Sequence, residues 1–348
     1  MKKFIILFPF FLFSAPINNT FEVKNFNLNS YFFSDFGYAN DLFFNSRYKH
    51  YIKKNGKNIA VLFSRIYTGI KKNKYSIGIF KQENFLLFSN KDSAEFVFQL
   101  LNKKVLEKNK TYNIFIKLKG FETQGIYINK IININNDLKI SLSSDIYNIS
   151  FMQDGIVRGY GYIENKNNYH YYAHANYFYS KNFLYKIHVK YHNGYGENIH
   201  FGIKYHKKDF ICRILLNNIF SYVKINQVPY SDVYLNSNNK HYKKGYLSYS
   251  PIFYGKEYYR NYDGAFNKKF DIFIMKKFFY IEYFKLRKLK LKYIGIKKKN
   301  YCFNYEFRNR TIGFQLNKKK YFFNIETDNL NYKKAKNIAL NVGVNFIF

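Results

Sequence analysis

The feature that most limits the fold of this chain is a two-residue alternation of apolar and polar side chains, which starts at Thr111 and runs almost to the last residue. Tyr112, Ile114, Ile116 and Leu118 alternate with Asn113, Phe115, Lys117 and Lys119, and the pattern restarts at Leu138, Ile140 and Leu142. Phe183, Tyr185, Ile187, Val189 and Tyr191 alternate with Leu184, Lys186, His188, Lys190 and His192; Ile199, Phe201, Ile203 and Tyr205 alternate with His200, Gly202, Lys204 and His206. Further on, Tyr301, Phe303, Tyr305 and Phe307 face away from Cys302, Asn304, Glu306 and Arg308. Successive side chains of a strand point to opposite faces, so these segments are two-faced strands.

Alternation arises both in a soluble sandwich and in a membrane barrel, with opposite faces turned inward. Three features favour the barrel. The apolar faces are rich in Phe and Tyr, of which the chain has 40 and 37; the links are short and polar in an uninterrupted meander; and no second set of helices covers the greasy face. A soluble sheet needs such a cover, whereas lipid covers a closed barrel. Four Pro and two Cys exclude a Pro-rich linker and a disulfide framework, and 47% hydrophobic content excludes a disordered basic tail. Cys302 falls on the polar side and Cys212 on the apolar side, so no disulfide is expected between them.

At the N-terminus Lys2 and Lys3 precede an apolar run from Phe4 to Phe13, then Ser14 and Ala15. The run is about half the ~20 residues a spanning helix needs, so residues 1–15 read as a secretory signal peptide. Residues 16–110 read as a small α+β segment, periplasmic or plug-like. It has strands near 59–70 and 74–80 and one helix near 92–107, opened by the capping box Asp92-Ser93-Ala94-Glu95 and carrying Ala94, Val97, Phe98, Leu101 and Val105 at helical spacing. Residues 111–348 are expected to form the all-β, antiparallel, up-and-down barrel.

The last strand is the most informative. Ile338, Leu340, Val342, Val344, Phe346 and Phe348 alternate with Asn337, Ala339, Asn341, Gly343, Asn345 and Ile347, and Phe348 is the final residue. Here the sequence resembles the outer-membrane β-barrel proteins of Gram-negative bacteria. The resemblance implies a transmembrane β-barrel in the cell outer membrane, partnered by lipid and lipopolysaccharide, with Val344, Phe346 and Phe348 as the signal read by the barrel-assembly machinery. Counting back from a periplasmic C-terminus, links at 318–320, 297–300, 276–277, 207–209 and 180–182 become periplasmic turns, and 254–269 and 193–198 become extracellular. The pattern accommodates about 12–16 strands.

The net charge of +35 then bears on function. Arg158, Lys186, Lys190, Lys204, Arg213, Lys290 and Lys292 fall on the polar face, which would line the lumen and favour small anionic solutes in a porin-like channel. Acids such as Asp271, Glu306 and Glu326 share that face. Lysines in the turns read as snorkelling residues at anionic headgroups. The alternatives are a non-conducting structural or assembly barrel plugged by its N-terminal segment, and an exported soluble β-protein that binds anionic glycan or lipopolysaccharide. Nucleic acid is not an expected partner of an exported chain.

Six of the eight histidines, His170, His174, His188, His192, His200 and His206, fall on one polar face of three consecutive expected strands. Tight links at 180–182 and 193–198 would set His174 opposite His188 and His170 opposite His192, with His192 nearly opposite His200. Opposed Cβ atoms about 4.5–5.5 Å apart allow two imidazoles to share a divalent metal, so these residues form a candidate metal patch; no other cofactor is implied. No Gly-x-Ser-x-Gly, no His-Glu-x-x-His and no phosphate-cradling glycine loop occurs, so no enzyme is expected.

Overall fold

The computed structural model describes residues 26–34, 58–101, 106–165, 168–181, 189–237, 240–243, 246–249, 252–318, 321–331, 335 and 337–344. The leader lies outside this set, as do Phe346 and Phe348. The described chain is all-β apart from one short helix, and every strand pairing is antiparallel.

Five strands open the main sheet: β1 (Phe26–Ser34), β2 (Asn58–Lys72), β3 (Tyr75–Ser89), β4 (Lys110–Asn133) and β5 (Leu138–Asn165). β6 (Asn168–Tyr179), β7 (Gly194–Lys207) and β8 (Phe210–Asn236) follow, then a small hairpin of β9 (Lys240–Lys243) and β10 (Tyr246–Tyr249). β11 (Ile252–Gly264) and β12 (Lys269–Lys276) lead into a run of short strands: β13 (Phe279–Leu286), β14 (Leu289–Lys298), β15 (Tyr301–Glu306), β16 (Thr311–Asn317), β17 (Tyr321–Thr327) and β18 (Ile338–Val344). Sixteen of them belong to one sheet, and β9 with β10 forms the other.

From β12 to β18 each strand pairs with the next, and β18 then pairs with β1, so the two ends of the chain are sheet neighbours. β1 to β5 form a second meander. The two runs meet at the long strands β5 and β8. β7 bonds to the first half of β5 and the first half of β8, whereas β6 bonds to their second halves. β12 and β11 divide the other edge of β8 in the same way. β6 and β7 thus lie end to end on one track, as do β11 and β12.

Tight links crowd one edge of the sheet. Asn73, Lys208, Lys277 and Lys299 each hold a left-handed conformation there, with φ of 53°, 49°, 57° and 52°. The expected turns near 207–209, 276–277, 297–300 and 318–320 are at this edge. The expected turn at 180–182 is not, because β6 ends beside the middle of β5 rather than at the edge. Residues 189–193 are irregular, not strand, and 254–264, expected as part of a long link, is strand.

The expectation of a separate segment over 16–110 fails for β1, β2 and β3, which are members of the sheet, hydrogen-bonded along their whole described lengths. Most of their apolar residues are β-branched or aromatic and suit a pleated, half-buried surface. The helix α1 (Lys91–Leu101) is shorter than the expected 92–107, since residues 106–109 are already non-helical. Its cap also differs: Asn90 Oδ1 accepts the Ser93 N–H at 2.9 Å, while Ser93 Oγ is taken by the Phe115 backbone. α1 stands where β3 would have continued beside β4, with Phe96 against Tyr112 and Glu95 bridged to Lys110.

Candidate membrane-facing surface and interior

The two faces of the sheet are inverted relative to a soluble protein. On one face Ile281, Ile294, Tyr305 and Ile312 stand directly opposed on four consecutive strands, and beside them runs a second row of Phe279, Ile296, Phe303 and Phe314. Most of these side chains are exposed, Ile312 to 66% and Phe303 to 57%. The same face of the other meander carries Ile79, Ile126 and Ile146 in a row, all exposed. Each such side chain left in water forgoes about 1.5–3 kcal/mol of burial, so the band is an apolar surface without a cover of protein.

The opposite face is buried, and it holds charged side chains as well. Arg65, 3% exposed, bonds Asp145, 2% exposed, through both guanidinium nitrogens at 2.5 and 3.0 Å and reaches Gln82 at 3.1 Å. Its Cζ lies 4.0 Å from the centre of the Phe80 ring. Arg213 bridges Asp271 and Glu282 at 3.0 and 3.2 Å, and Lys119 meets Asp154 at 3.2 Å. Opposite charge offsets the desolvation that a buried ion suffers alone.

This buried face is also filled. Ile59, Val61 and Phe63 of β2 and Leu86 of β3 pack in one cluster with Leu215 of β8, Phe284 and Leu286 of β13, and Leu289, Leu291 and Tyr293 of β14. β2 and β14 are far apart in strand order, so the sheet curves until distant strands share a core. Lys269 sits 3.7 Å over the Phe63 ring. Phe266, in the break between β11 and β12, reaches Phe121 and Tyr147 with ring centres at 4.9 and 5.5 Å. Tyr262 donates to Asp154 at 2.7 Å beside it.

The expected lining residues divide. Arg213 and Lys204 are on the buried face, opposed to each other, and Arg213 is neutralised by two acids. Lys290 and Lys292 are not lining residues: they are exposed on the face of Ile294 and Ile296, and Leu289, Leu291 and Tyr293 turn inward. The strand alternates as expected, but its leucines complete a core that β2 supplies from across the sheet. Arg158 is exposed with its Cζ 5.9 Å from the Phe115 ring, and Lys190 is exposed in an irregular segment. Lys186 and His188 lie outside the described residues. Val344 is the end of β18, paired with Tyr321 and Phe26.

The described histidines do not form a shared site. His170 stacks on Tyr162, His174 pairs with Asp232 at 2.6 Å, His192 is exposed, and His200 is buried against Asp145 at 3.1 Å. His174 is opposed to Arg158 and Tyr234, and His200 to Ser143, so the register that would bring imidazoles together is not formed. Among the described residues no group of three His, Cys, Asp or Glu is placed to hold a metal ion. Cys212 and Cys302 are both free thiols, and Cys302 is buried beside Tyr280.

Two features went unread in the sequence. Gly69 and Gly78 are directly opposed, and the Tyr127 ring lies over both, where any Cβ would meet the facing backbone and the phenol. Second, tyrosines of β5, β6, β8 and β11 stack in a row across the taller part of the sheet. The signal for both was present as Gly and Tyr at alternate positions, but only the register shows which rings meet. Comparison with known proteins gives no match, either to a family model or to a curated protein.

Proposed function

We propose that this chain is an outer-membrane β-barrel whose interior is closed by its own side chains, a structural or anchoring barrel rather than an open porin. The observation that carries the reading is the inversion of the faces, with isoleucine and phenylalanine exposed while Arg65, Asp145, Asp271 and Glu326 are buried. Lipid is the solvent that makes such an arrangement favourable. The pairing supports closure: neighbours followed from β8 through β12 to β18, then β1 to β5, return through β7 to β8. The sixteen strands occupy fourteen positions in that ring, because β6 shares a track with β7 and β11 with β12. A round ring of that size would be wide enough to hold water. Here Phe63, Phe284 and Leu291 fill it, and the arginines Arg65 and Arg213 are matched by acids, which weakens the basis for anion selection.

In this reading the leader at 1–15 directs export, the edge with Asn73, Lys208, Lys277 and Lys299 faces the periplasm, and the long ends of β4, β5, β8 and β11 rise beyond the outer surface. The test compares boiled and unboiled full-length protein from outer membranes on a denaturing gel, then records it in a planar bilayer. A heat-dependent shift without steady conductance is expected. Recovery as a soluble protein overturns the barrel, and large steady open steps overturn its closed interior.

A further inference from the structure

On the tall part of the sheet, one face of β5, β6, β8 and β11 carries a ladder of aromatic rings. Tyr160 and Tyr172 are opposed and stacked at 6.2 Å, Tyr172 and Tyr234 are 6.5 Å apart, and Tyr234 and Tyr254 are stacked at 5.2 Å with planes 10° apart. His174 lies flat on Tyr234 at 4.2 Å, with planes 3° apart, and is held by Asp232. The row is open to solvent at both ends, Tyr160 being 39% and Tyr254 52% exposed.

Cations flank this row on the same face. Arg158 is opposed to His174, Lys256 to Asp232, and the Arg260 guanidinium lies 5.1 Å from the Tyr230 ring and 6.0 Å from that of Tyr258; all three are exposed. Asp232 is already engaged by His174, and Glu257 turns to the other face to accept from Ser231. The surface is therefore net positive, aromatic and ordered before anything binds.

We infer that this face binds an acidic polysaccharide laid across the four strands. The geometry selects the ligand class in three ways. Tyr234, at the centre of the row, spends its ring faces on His174 and Tyr254, so it presents an edge and a phenol hydroxyl, which hydrogen-bond to sugar hydroxyls and carboxylates but give a nucleobase little surface to stack on. The row runs across four strands, which matches an extended polymer better than a compact solute. Arg158, Lys256 and Arg260 supply charge for a polyanion. Mutual stacking fixes the tyrosines in advance, which lowers the entropy lost on binding.

The inference goes beyond the membrane reading, since it requires only that the sheet be folded. The experiment uses full-length protein, with folding of each variant checked by its circular dichroism and cooperative thermal melt, and measures binding of polygalacturonate, neutral dextran and oligo-dT. Polygalacturonate is expected to bind, more weakly as salt rises, and dextran and oligo-dT to bind far less. Tyr234→Leu and Arg260→Ala should each weaken it about tenfold, while Tyr301→Leu on the opposite wall leaves it unchanged. No binding of polygalacturonate, equal binding of dextran, preference for oligo-dT, or wild-type affinity in both folded variants would each overturn the inference.

Discussion

His200 Nε2 and the Asp145 carboxylate are 3.1 Å apart inside the sheet, and His200 Nδ1 accepts the Asn218 N–H at 3.2 Å. That second bond places the imidazole proton on Nε2, so a neutral His200 donates to Asp145 while Arg65 balances its charge. Removing the carboxylate strands a buried guanidinium. Asp145→Asn should destabilise the protein by about 3–5 kcal/mol, and Arg65→Met with Asp145→Leu should recover most of that loss. Urea unfolding of the two variants in detergent measures both, and an Asp145→Asn midpoint equal to wild type would refute the coupling.

The exposed isoleucines and phenylalanines give a sharper test of lipid contact. Phe303→Arg should cost about 2–4 kcal/mol in a bilayer if it lies at the midplane, whereas Lys292→Ala on the same face should change little. In a water-exposed sheet Phe303→Arg would be neutral. Refolding into vesicles against denaturant distinguishes the two.

Gly78 offers a test of packing. An alanine there meets the Thr68 carbonyl and the Tyr127 ring, so Gly78→Ala should cost about 1–3 kcal/mol, and Tyr127→Leu in the same chain should restore only the part owed to the ring. Thermal loss of the compact gel band reads the difference.

The core between β2 and β14 predicts a gain as well as a loss. Phe63→Ala with Leu291→Ala should destabilise the interior, each truncation costing about 2–5 kcal/mol, and should admit ions where wild type admits none. Planar-bilayer recordings of the double variant are the check, and continued silence in a folded sample would show that other side chains keep the path shut.

Strand periodicity was legible because it is local. The alternation at Tyr301–Glu306, the free cysteines and the turns holding Lys208, Lys277 and Lys299 all follow from short-range pattern. What could not be read was long-range. Lys290 and Lys292 alternate with leucine in a way that fits either face, and only contact with Ile59, Val61 and Phe63 turns the leucines inward. The histidine patch failed for a related reason: it assumed a tight hairpin at 180–182 with a strand after it, whereas β6 and β7 share one track beside β5. The boundary at 110 rests on the mixed strand and helix pattern that precedes the alternation from Thr111, yet a helix can stand beside a sheet without ending it.

The unequal heights of the strands would carry a consequence for lipid around the proposed barrel. β15 has 6 residues and β16, β17 and β18 have 7 each, whereas β4, β5 and β8 have 24, 28 and 27. At ~3.3 Å per residue the short strands reach about 20–23 Å even before tilt, less than the ~25 Å apolar band of an outer membrane. In the proposed membrane-embedded barrel, acyl chains beside β15–β18 would compress to meet them, while those beside β4 and β5 would not. Two copies that turned their short sides together would share one compressed patch in place of two, so under the proposed reading hydrophobic mismatch would favour one side of the molecule for meeting its neighbours.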